Sequence, residues 1–478
     1  MQFQVLSHAG LLVKNKMGKT LICDPWLIGS SYWRSWWNFP PVSRKLVDTL
    51  KPDYIYLTHI HWDHFHGPSL NLFSKDTPII IPKGNYTRMR DDLNYLGFHN
   101  IIELKHAQTK LLDDGFKITS YQIWMFLDSA LLIECEGVTL LNLNDSKHMG
   151  PTLKQIIRKH PAIDFVFRSH SSANERMSYT VVDDPDAAID DLESYTREFA
   201  QTVRATGARY AIPFASNHCH LHKDSFHFNE KIQHPELVRK YFEKNGITSP
   251  KVQVMVSGDS WSSDDGFTLT DKRWFDDREI YLGEYLRENQ DSLNKFYAEE
   301  DSTVIEKNKV DEYFARLAAA IPYALKLYLR KQQFTYVLSA EGKTKYIFQI
   351  HISSGKVQQL DPETRLNPED YPIQIHTTAF IFLRGIEYRI FSHMCIGKRV
   401  FYKVTRRSKK YMETLNMIFN FYDYDMFPLK HNFRLRSLES WIQRWREIAL
   451  YSFFTRDILL YKKINTAKYL KPINRTDP

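Results

Sequence analysis

The chain has 478 residues, 43% hydrophobic and 25% charged, which excludes a disordered or collagen-like polymer and allows about three domains at roughly 150 residues each. Its 64 Lys and Arg against 56 Asp and Glu leave a formal charge of +8. That excess is too small to argue for nucleic acid, and no nucleic-acid partner is expected. Four scattered cysteines, Cys23, Cys135, Cys219 and Cys395, form no C-x-x-C pair. They argue against a secreted disulfide framework and for a reducing, cytoplasmic setting. The opening MQFQVLSHAGLLV lacks a signal-peptide pattern, and no apolar run reaches the roughly 18 residues of a membrane span. Aromatic residues make up 14% of the chain, enough for large cores or an aromatic-lined pocket.

In chain order, short runs rich in Val, Ile, Leu and Tyr predict strands at Gln2–Leu6, Gly10–Val13, Thr20–Cys23, Tyr54–Leu57 and Pro78–Ile81. Further strands are expected at Phe116–Tyr121, Ala130–Glu134, Val138–Asn142, Phe165–Phe167, Tyr210–Ile212 and Lys251–Met255. Asp186–Thr206 predicts a helix, with Asp184 as N-cap, Pro185 in the first turn and Gly207 past the end. Strands interrupted by helices imply sheets covered by helices. The charged stretch 285–308 marks a domain boundary, giving a catalytic domain over 1–285 and a smaller α+β domain over 309–478. The second domain is expected to open with a helix at Val310–Leu329. Strands follow at Phe334–Leu338, Lys345–Ile352, Thr378–Leu383, Tyr388–Ser392 and Val400–Val404.

The densest chemical signal is Thr58-His59-Ile60-His61-Trp62-Asp63-His64-Phe65-His66-Gly67. At 19 His in the chain, eight positions should hold about 0.3, and His59 to His66 hold four. Alternate residues of an extended chain share a face, so His59 and His61 converge on one ion. Asp63 and His64, in the following turn, can reach a second. Imidazole with carboxylate suits zinc or iron.

This H-x-H-x-D-H pattern resembles the metallo-β-lactamase superfamily. His8-Ala9-Gly10 and Asp24-Pro25-Trp26-Leu27 look like its opening hairpin and aspartate turn, and Asp145 ends a strand where the family places a bridging carboxylate. Over roughly residues 1–260 the likeness is closest to the metallo-β-lactamase-like part of the CMP-N-acetylneuraminate hydroxylases. It is carried by Lys51–His59, Leu141–Asp145 and Pro213-Phe214-Ala215. The resemblance implies an α+β fold, a four-layer αββα sandwich, with two divalent ions, zinc or iron. His59 and His61 would hold the first, Asp63 and His64 the second, and Asp145 would bridge them. A metal-bound water becomes the nucleophile near neutral pH, and Asp63 would act as the catalytic group that orients it or accepts its proton.

Two departures stand out. The family's histidine about 25 residues before the bridging aspartate is missing; Tyr121, Gln122, Asp128 or His148 could substitute. Its last histidine ligand falls in Asn217-His218-Cys219-His220-Leu221-His222, where His218 and His222 are equal candidates and His220 the next. Arg34, Asp128 and His170 are candidate substrate-binding residues. Arg34 stands beside Trp33, Trp36 and Trp37, and Arg168 is a further cation for an anionic substrate. The hydroxylase family adds a Rieske domain with C-x-H and C-x-x-H. No C-x-H occurs here, so no Rieske cluster is expected. The sequence therefore favours a metal-dependent hydrolase acting on a small anionic substrate such as a nucleotide sugar, an acidic glycan precursor or a phosphodiester. A non-haem diiron oxygenase and a metal-free binding module are the alternatives. The C-terminal segment carries 11 Lys or Arg between residues 430 and 477, together with Trp441, Trp445, Phe453 and Phe454. It could meet an anionic membrane surface or an acidic partner.

Overall fold

The short N-terminal runs pair because their side chains alternate between two apolar environments. In a computed structural model of the chain, the residues described are 1–123, 128–146, 150–171, 175–184, 192–445 and 447. The first sheet has eight strands in the order Gly266–Thr268, Ser260–Ser262, Gln2–Val5, Leu11–Lys14, Thr20–Cys23, Tyr54–Tyr56, Ile79–Pro82 and Ile101–Leu104. The second has seven: Lys251–Val252, Tyr210–Phe214, Phe165–Ser169, Val138–Asn144, Asp128–Cys135, Phe116–Ile123 and Gln108–Asp113.

The inner faces of these sheets meet in one core. Phe3, Val5, Val13, Leu21 and Tyr56 face Phe116, Ile133, Phe165, Phe167 and Ile212. The outer face of the first sheet is covered by Leu70, Met89 and Leu93 from short helices. The outer face of the second is covered by Gly150–Lys159, Leu192–Thr206 and Pro235–Lys244. This is the expected four-layer αββα sandwich.

From Thr20–Cys23 outward the first sheet is parallel, as is the second from Val138–Asn144 outward. Their carboxyl ends release Asp24, His59, Asp145 and His170 into neighbouring loops, and the loop after Tyr210–Phe214 leads to the short strand His218–His220. The parallel register shifts between Asn142 and Asn144, and Asn144 adopts φ 41. This bulge turns Asp145 out of the strand.

A third sheet of six strands holds Phe334–Ala340, Lys343–His351, Lys356–Leu360, Ile373–Thr378 and Phe401–Val404. Its edge strand is Tyr179–Val181, from far earlier in the chain, paired parallel to Tyr402–Val404. The stretch 285–308, read as a boundary, lies largely in the helix Arg278–Asp301.

Several sequence expectations are corrected here. Thr378–Leu383 and Tyr388–Ser392 are not strands; helices occupy Ala379–Tyr388 and Phe391–Ile396, the first capped by the Thr378 hydroxyl on the Ile381 N–H. The helix over Val310–Leu329 is two helices, Lys307–Ala320 and Tyr323–Leu329, because Pro322 between them cannot continue the first. Lys251–Met255 contributes only Lys251–Val252. The Asp186–Thr206 helix is described from Leu192; its first residues, with Pro185, lie outside the described residues, as do His148, Phe453 and Phe454.

The basic residues of the C-terminal segment are partly spent on ion pairs. Arg436 binds Glu103 at 3.1 Å, Arg434 binds Asp425 at 3.2 Å, and Arg444 binds Glu447 at 2.6 Å. Lys398 and Arg399 are buried, at 1% exposure each. Among the described residues no helix is long and apolar enough to cross a membrane.

Phe167 is fully buried between the sheets and packs edge-on against Phe3 and Phe214, with ring centres 5.4 Å and 5.3 Å apart. Phe167→Ala should therefore destabilise the fold by about 3–5 kcal/mol, read as a lowered midpoint of urea denaturation. A change below about 1 kcal/mol would contradict this inter-sheet core.

Candidate metal centre

The turn after Tyr54–Tyr56 is short, and its side chains are pinned from both sides. Thr58 gives its backbone N–H to Asp24 Oδ1 at 2.8 Å and its hydroxyl to Asp24 Oδ2 at 2.7 Å. His64 Nδ1 lies 2.8 Å from Asp24 Oδ2. His59 Nδ1 lies 3.1 Å from Asp128 Oδ1 and 3.0 Å from the Thr58 hydroxyl. Each imidazole is thus held at its outer nitrogen by a carboxylate, and its Nε2 is aimed inward. Metal-binding histidines are commonly oriented this way.

Inside, two groups of donors form. His59 Nε2 faces His61 Nδ1 at 2.8 Å, with Asp145 Oδ2 at 3.7 Å from His59 Nε2. Beside it, Asp63 Oδ2 lies 3.1 Å from His8 Nε2 and 3.4 Å from His64 Nε2. Asp145 Oδ2 is also 3.8 Å from His64 Nε2, so this carboxylate stands between the two groups. His59–His61–Asp145 and His8–Asp63–His64 each bring one donor atom per residue to a common point. His64 Nε2 and Asp145 Oδ1 are buried with no hydrogen-bond partner. Unpaired buried polar atoms of this kind cost about 1–3 kcal/mol each, and a divalent cation would satisfy them, so the donors present fit a dinuclear metal site.

The electrostatics agree. Burial opposes charge on every group here. Even so, Asp63 is held well below the usual carboxylate range because His64 and His8 outweigh burial. His64 is raised well above its ordinary value because Asp63, Asp145 and Asp24 do the same. Burial and His59 push His61 down to about 4. Burial and the neighbouring Asp145 push Asp128 up to about 8.

Of the predicted residues, the structure brings together His59, His61, Asp63, His64, Asp145 and Asp128. Asp128 reaches the outer side of His59. Tyr121 and Gln122 are engaged elsewhere: the Tyr121 hydroxyl lies 2.9 Å from His160, and Gln122 donates to Lys83 O at 2.6 Å. Among the late histidines, His218 lies beside the site, its ring 5.4 Å from that of His8 and stacked at 3.8 Å on Trp36. His220 bonds Ser35 at 3.1 Å, and His222 is 3.2 Å from Glu300. Cys219-His220-Leu221-His222 does contain one C-x-x-H, but no C-x-H accompanies it. His66 caps the short helix Gly67–Leu70. His170 is buried, and burial pushes it down to about 3. Arg34 donates to Ser30 at 3.2 Å and lies over the Phe296 ring. Arg168 is buried and committed to Ser146 O at 2.6 Å and Glu198 at 2.8 Å.

Three residues escaped the sequence reading of the site. His8 was seen only as part of a hairpin motif, although its polar ring in an apolar turn was a usable signal. Tyr32 donates to Asp63 Oδ1 at 2.6 Å. His393, from the helix Phe391–Ile396, places its ring 5.4 Å from His61 and 5.4 Å from Trp62. No local pattern announces the last two.

No family model matches the chain. Over 251 residues, 49% of this chain and 47% of the relative, it is 28% identical to a Mycobacterium tuberculosis protein named as a Rieske 2Fe-2S iron–sulfur protein. Over 152 residues, 30% of this chain and 26% of the relative, it is 32% identical to the cytidine monophosphate-N-acetylneuraminic acid hydroxylase of Mus musculus. The chain spans about half the length, or less, of the curated relatives it matches. Among solved structures it is similar to the metallo-β-lactamase fold protein YhfI from Bacillus subtilis, 17% identical, with 54% of this chain and 98% of that one covered and a TM-score of 0.37. The likeness expected from the sequence, to metallo-β-lactamase-fold proteins and to the CMP-sialic acid hydroxylase, is what these comparisons return.

Proposed function

We propose that this chain is a metal-dependent enzyme that holds two divalent ions side by side and hydroxylates a small anionic substrate with dioxygen. The observation that carries the reading is the donor set. Each of the neighbouring groups offers two imidazoles and one carboxylate, and the first contains no third imidazole among the described residues. Two histidines and one carboxylate with open positions are the donors of non-haem iron oxygenases. The names of the relatives, a hydroxylase and a Rieske protein, support the same chemistry. Iron held by these residues would supply the redox chemistry that activates dioxygen: one oxygen atom would enter a substrate C–H bond, and the other would leave as water with two protons and two electrons from a separate reductant such as a reduced iron–sulfur protein.

The chain's own residues do the rest. Asp24 and Asp128 keep the inner nitrogens of His64 and His59 aimed inward. Tyr32 takes one oxygen of Asp63 and leaves the other facing His8 and His64. Tyr32, Trp33, Trp62 and His393 pack together over one side of the centre and keep bulk water away from it. The proposed anionic substrate agrees with the +8 balance and with the acidic sugar nucleotide in the mouse relative's name. Arg34, in the turn beside Trp33, is its candidate partner. The C-terminal helix Leu435–Gln443, with Leu435 and Ile442 exposed, is proposed to meet an anionic surface.

Hydrolysis is the second reading, and it rests on Asp63. Its Oδ2 lies 3.1 Å from His8 Nε2 and 3.4 Å from His64 Nε2, where it would orient a nucleophilic water.

Metal binding is checked first. His61→Ala and Asp63→Ala should each weaken metal retention more than about 10-fold, and Asp24→Asn and Asp128→Asn by about 10–100-fold, read by elemental analysis after dialysis. Unchanged stoichiometry in both alanine variants would overturn the metal centre. The reaction is checked by loading the protein anaerobically with Fe(II) and admitting dioxygen. Oxygen uptake with a new visible absorption band is expected. Zinc-loaded protein that cleaves phosphodiesters or esters, while the iron form leaves dioxygen untouched, would replace hydroxylation by hydrolysis.

A further inference from the structure

We infer that Arg399, far from the histidine motif in sequence, is a positioning residue for the second metal site, acting through a left-handed turn that aims Tyr32 at Asp63. The inference rests on the reading of Asp63 as a metal ligand. Tyr32, Trp33 and Arg34 adopt φ 48, 55 and 64 in succession. None is Gly or Asn, and three L-residues in a row in this region is a conformation the local sequence disfavours. Something outside the turn must hold it.

Arg399 does so. Its guanidinium is 1% exposed, and Nη1 donates to Trp33 O at 2.7 Å, the carbonyl at the centre of the turn. The other arm, Nη2, is anchored on Glu300 at 2.8 Å and on Asp224 at 3.2 Å. Glu300 is itself buried on the long helix Arg278–Asp301 and lies 3.2 Å from His222. Just before Arg399, the backbone presses on the same turn: a Cβ on Gly397 would stand 3.0 Å from the Tyr32 Cβ. At the other end, the Tyr32 hydroxyl donates to Asp63 Oδ1 at 2.6 Å, and Asp63 Oδ2 alone faces His8 and His64. Arg399 therefore decides, through one strained turn, which oxygen of Asp63 is presented to the metal. The fork geometry is required, because one planar cation serves a carbonyl and two carboxylates at once.

The test is a cobalt(II) titration of the metal-free full chain, followed by visible absorption. Wild type should take up two equivalents. Arg399→Lys keeps the charge beside Glu300 but lacks the second arm. It should weaken one equivalent by about 10-fold, the scale of losing an outer support, and leave the other unchanged. Tyr32→Phe should weaken the same equivalent. If Arg399 acts through Tyr32, the double variant is no worse than the more severe single one. Gly397→Ala, which pushes on Tyr32 while leaving Arg399 intact, should reproduce the selective loss, and it carries the test if Arg399→Lys fails to fold. Both equivalents binding as in wild type, or losses that multiply in the double variant, would overturn the inference while the metal centre stands. Wild type that takes up no cobalt would overturn the metal reading itself, and this inference with it.

Discussion

Asp24 is wholly buried, and its two oxygens accept from the Thr58 N–H, the Thr58 hydroxyl and His64 Nδ1. One carboxylate thereby ties the end of Thr20–Cys23 to the end of Tyr54–Tyr56 and to the histidine turn beyond it. Stripped of its partners at that depth, such a charge would cost about 3–5 kcal/mol, so the turn has few alternatives to the geometry it adopts. The second sheet is brought to the same point. Ser129 donates to Thr58 O at 2.8 Å, and the Asn144 side chain donates to Ser129 O at 2.9 Å. Asp128 and Asp145, the neighbours of those residues, arrive opposite His59 by the same connections. The site is set by backbone ends that are already fixed, which is how a short loop can place charged groups to a few tenths of an ångström.

How much of this was legible depends on how local each interaction is. His59, His61, Asp63 and His64 lie within six residues on one strand end, so their spacing and chemistry could be read together. Asp145 could be placed because its strand was readable and the residue ends it. Asp128 was weighed as a stand-in for a missing histidine, and the structure sets it on the outer nitrogen of His59, a position that spacing alone could not distinguish. His8, Tyr32 and His393 reach the site from other parts of the fold. A sequence carries no mark of a contact that only tertiary packing creates.

The same limit explains the errors in the second half of the fold. Thr378–Leu383 and Tyr388–Ser392 are short continuous apolar runs, which fit a buried strand and a buried helix equally well. Both lie against the cluster built from Phe314, Phe348, Phe382 and Phe391, where Ala379–Phe382 and Phe391–Cys395 are each buried without a break, so these runs show no amphipathic alternation. By contrast, Leu192–Thr206 shows buried Phe199, Ala200 and Val203 on one side and was read as a helix without difficulty. The edge strand Tyr179–Val181 was invisible for a different reason: three residues have no period of their own and are defined by their partner, Phe401–Val404.

The interleaving has a consequence for the chemistry. Trp26, Tyr32, Trp33 and Trp36, the residues that surround the left-handed turn, belong to the same buried cluster as Val310, Phe314 and Phe391. A left-handed L-residue costs about 1–2 kcal/mol, whereas burying a large apolar side chain returns about 1.5–3 kcal/mol. Tyr32, Trp33 and Trp36 are 0%, 9% and 2% exposed, so their burial is comparable with the strain of the three left-handed residues and offsets it only while the second half of the chain is packed against the turn. Without that packing the turn relaxes, the Tyr32 hydroxyl leaves Asp63, and the carboxylate is free to rotate. The arrangement of the second donor group is therefore a property of the whole chain, although none of its three donors comes from the second half.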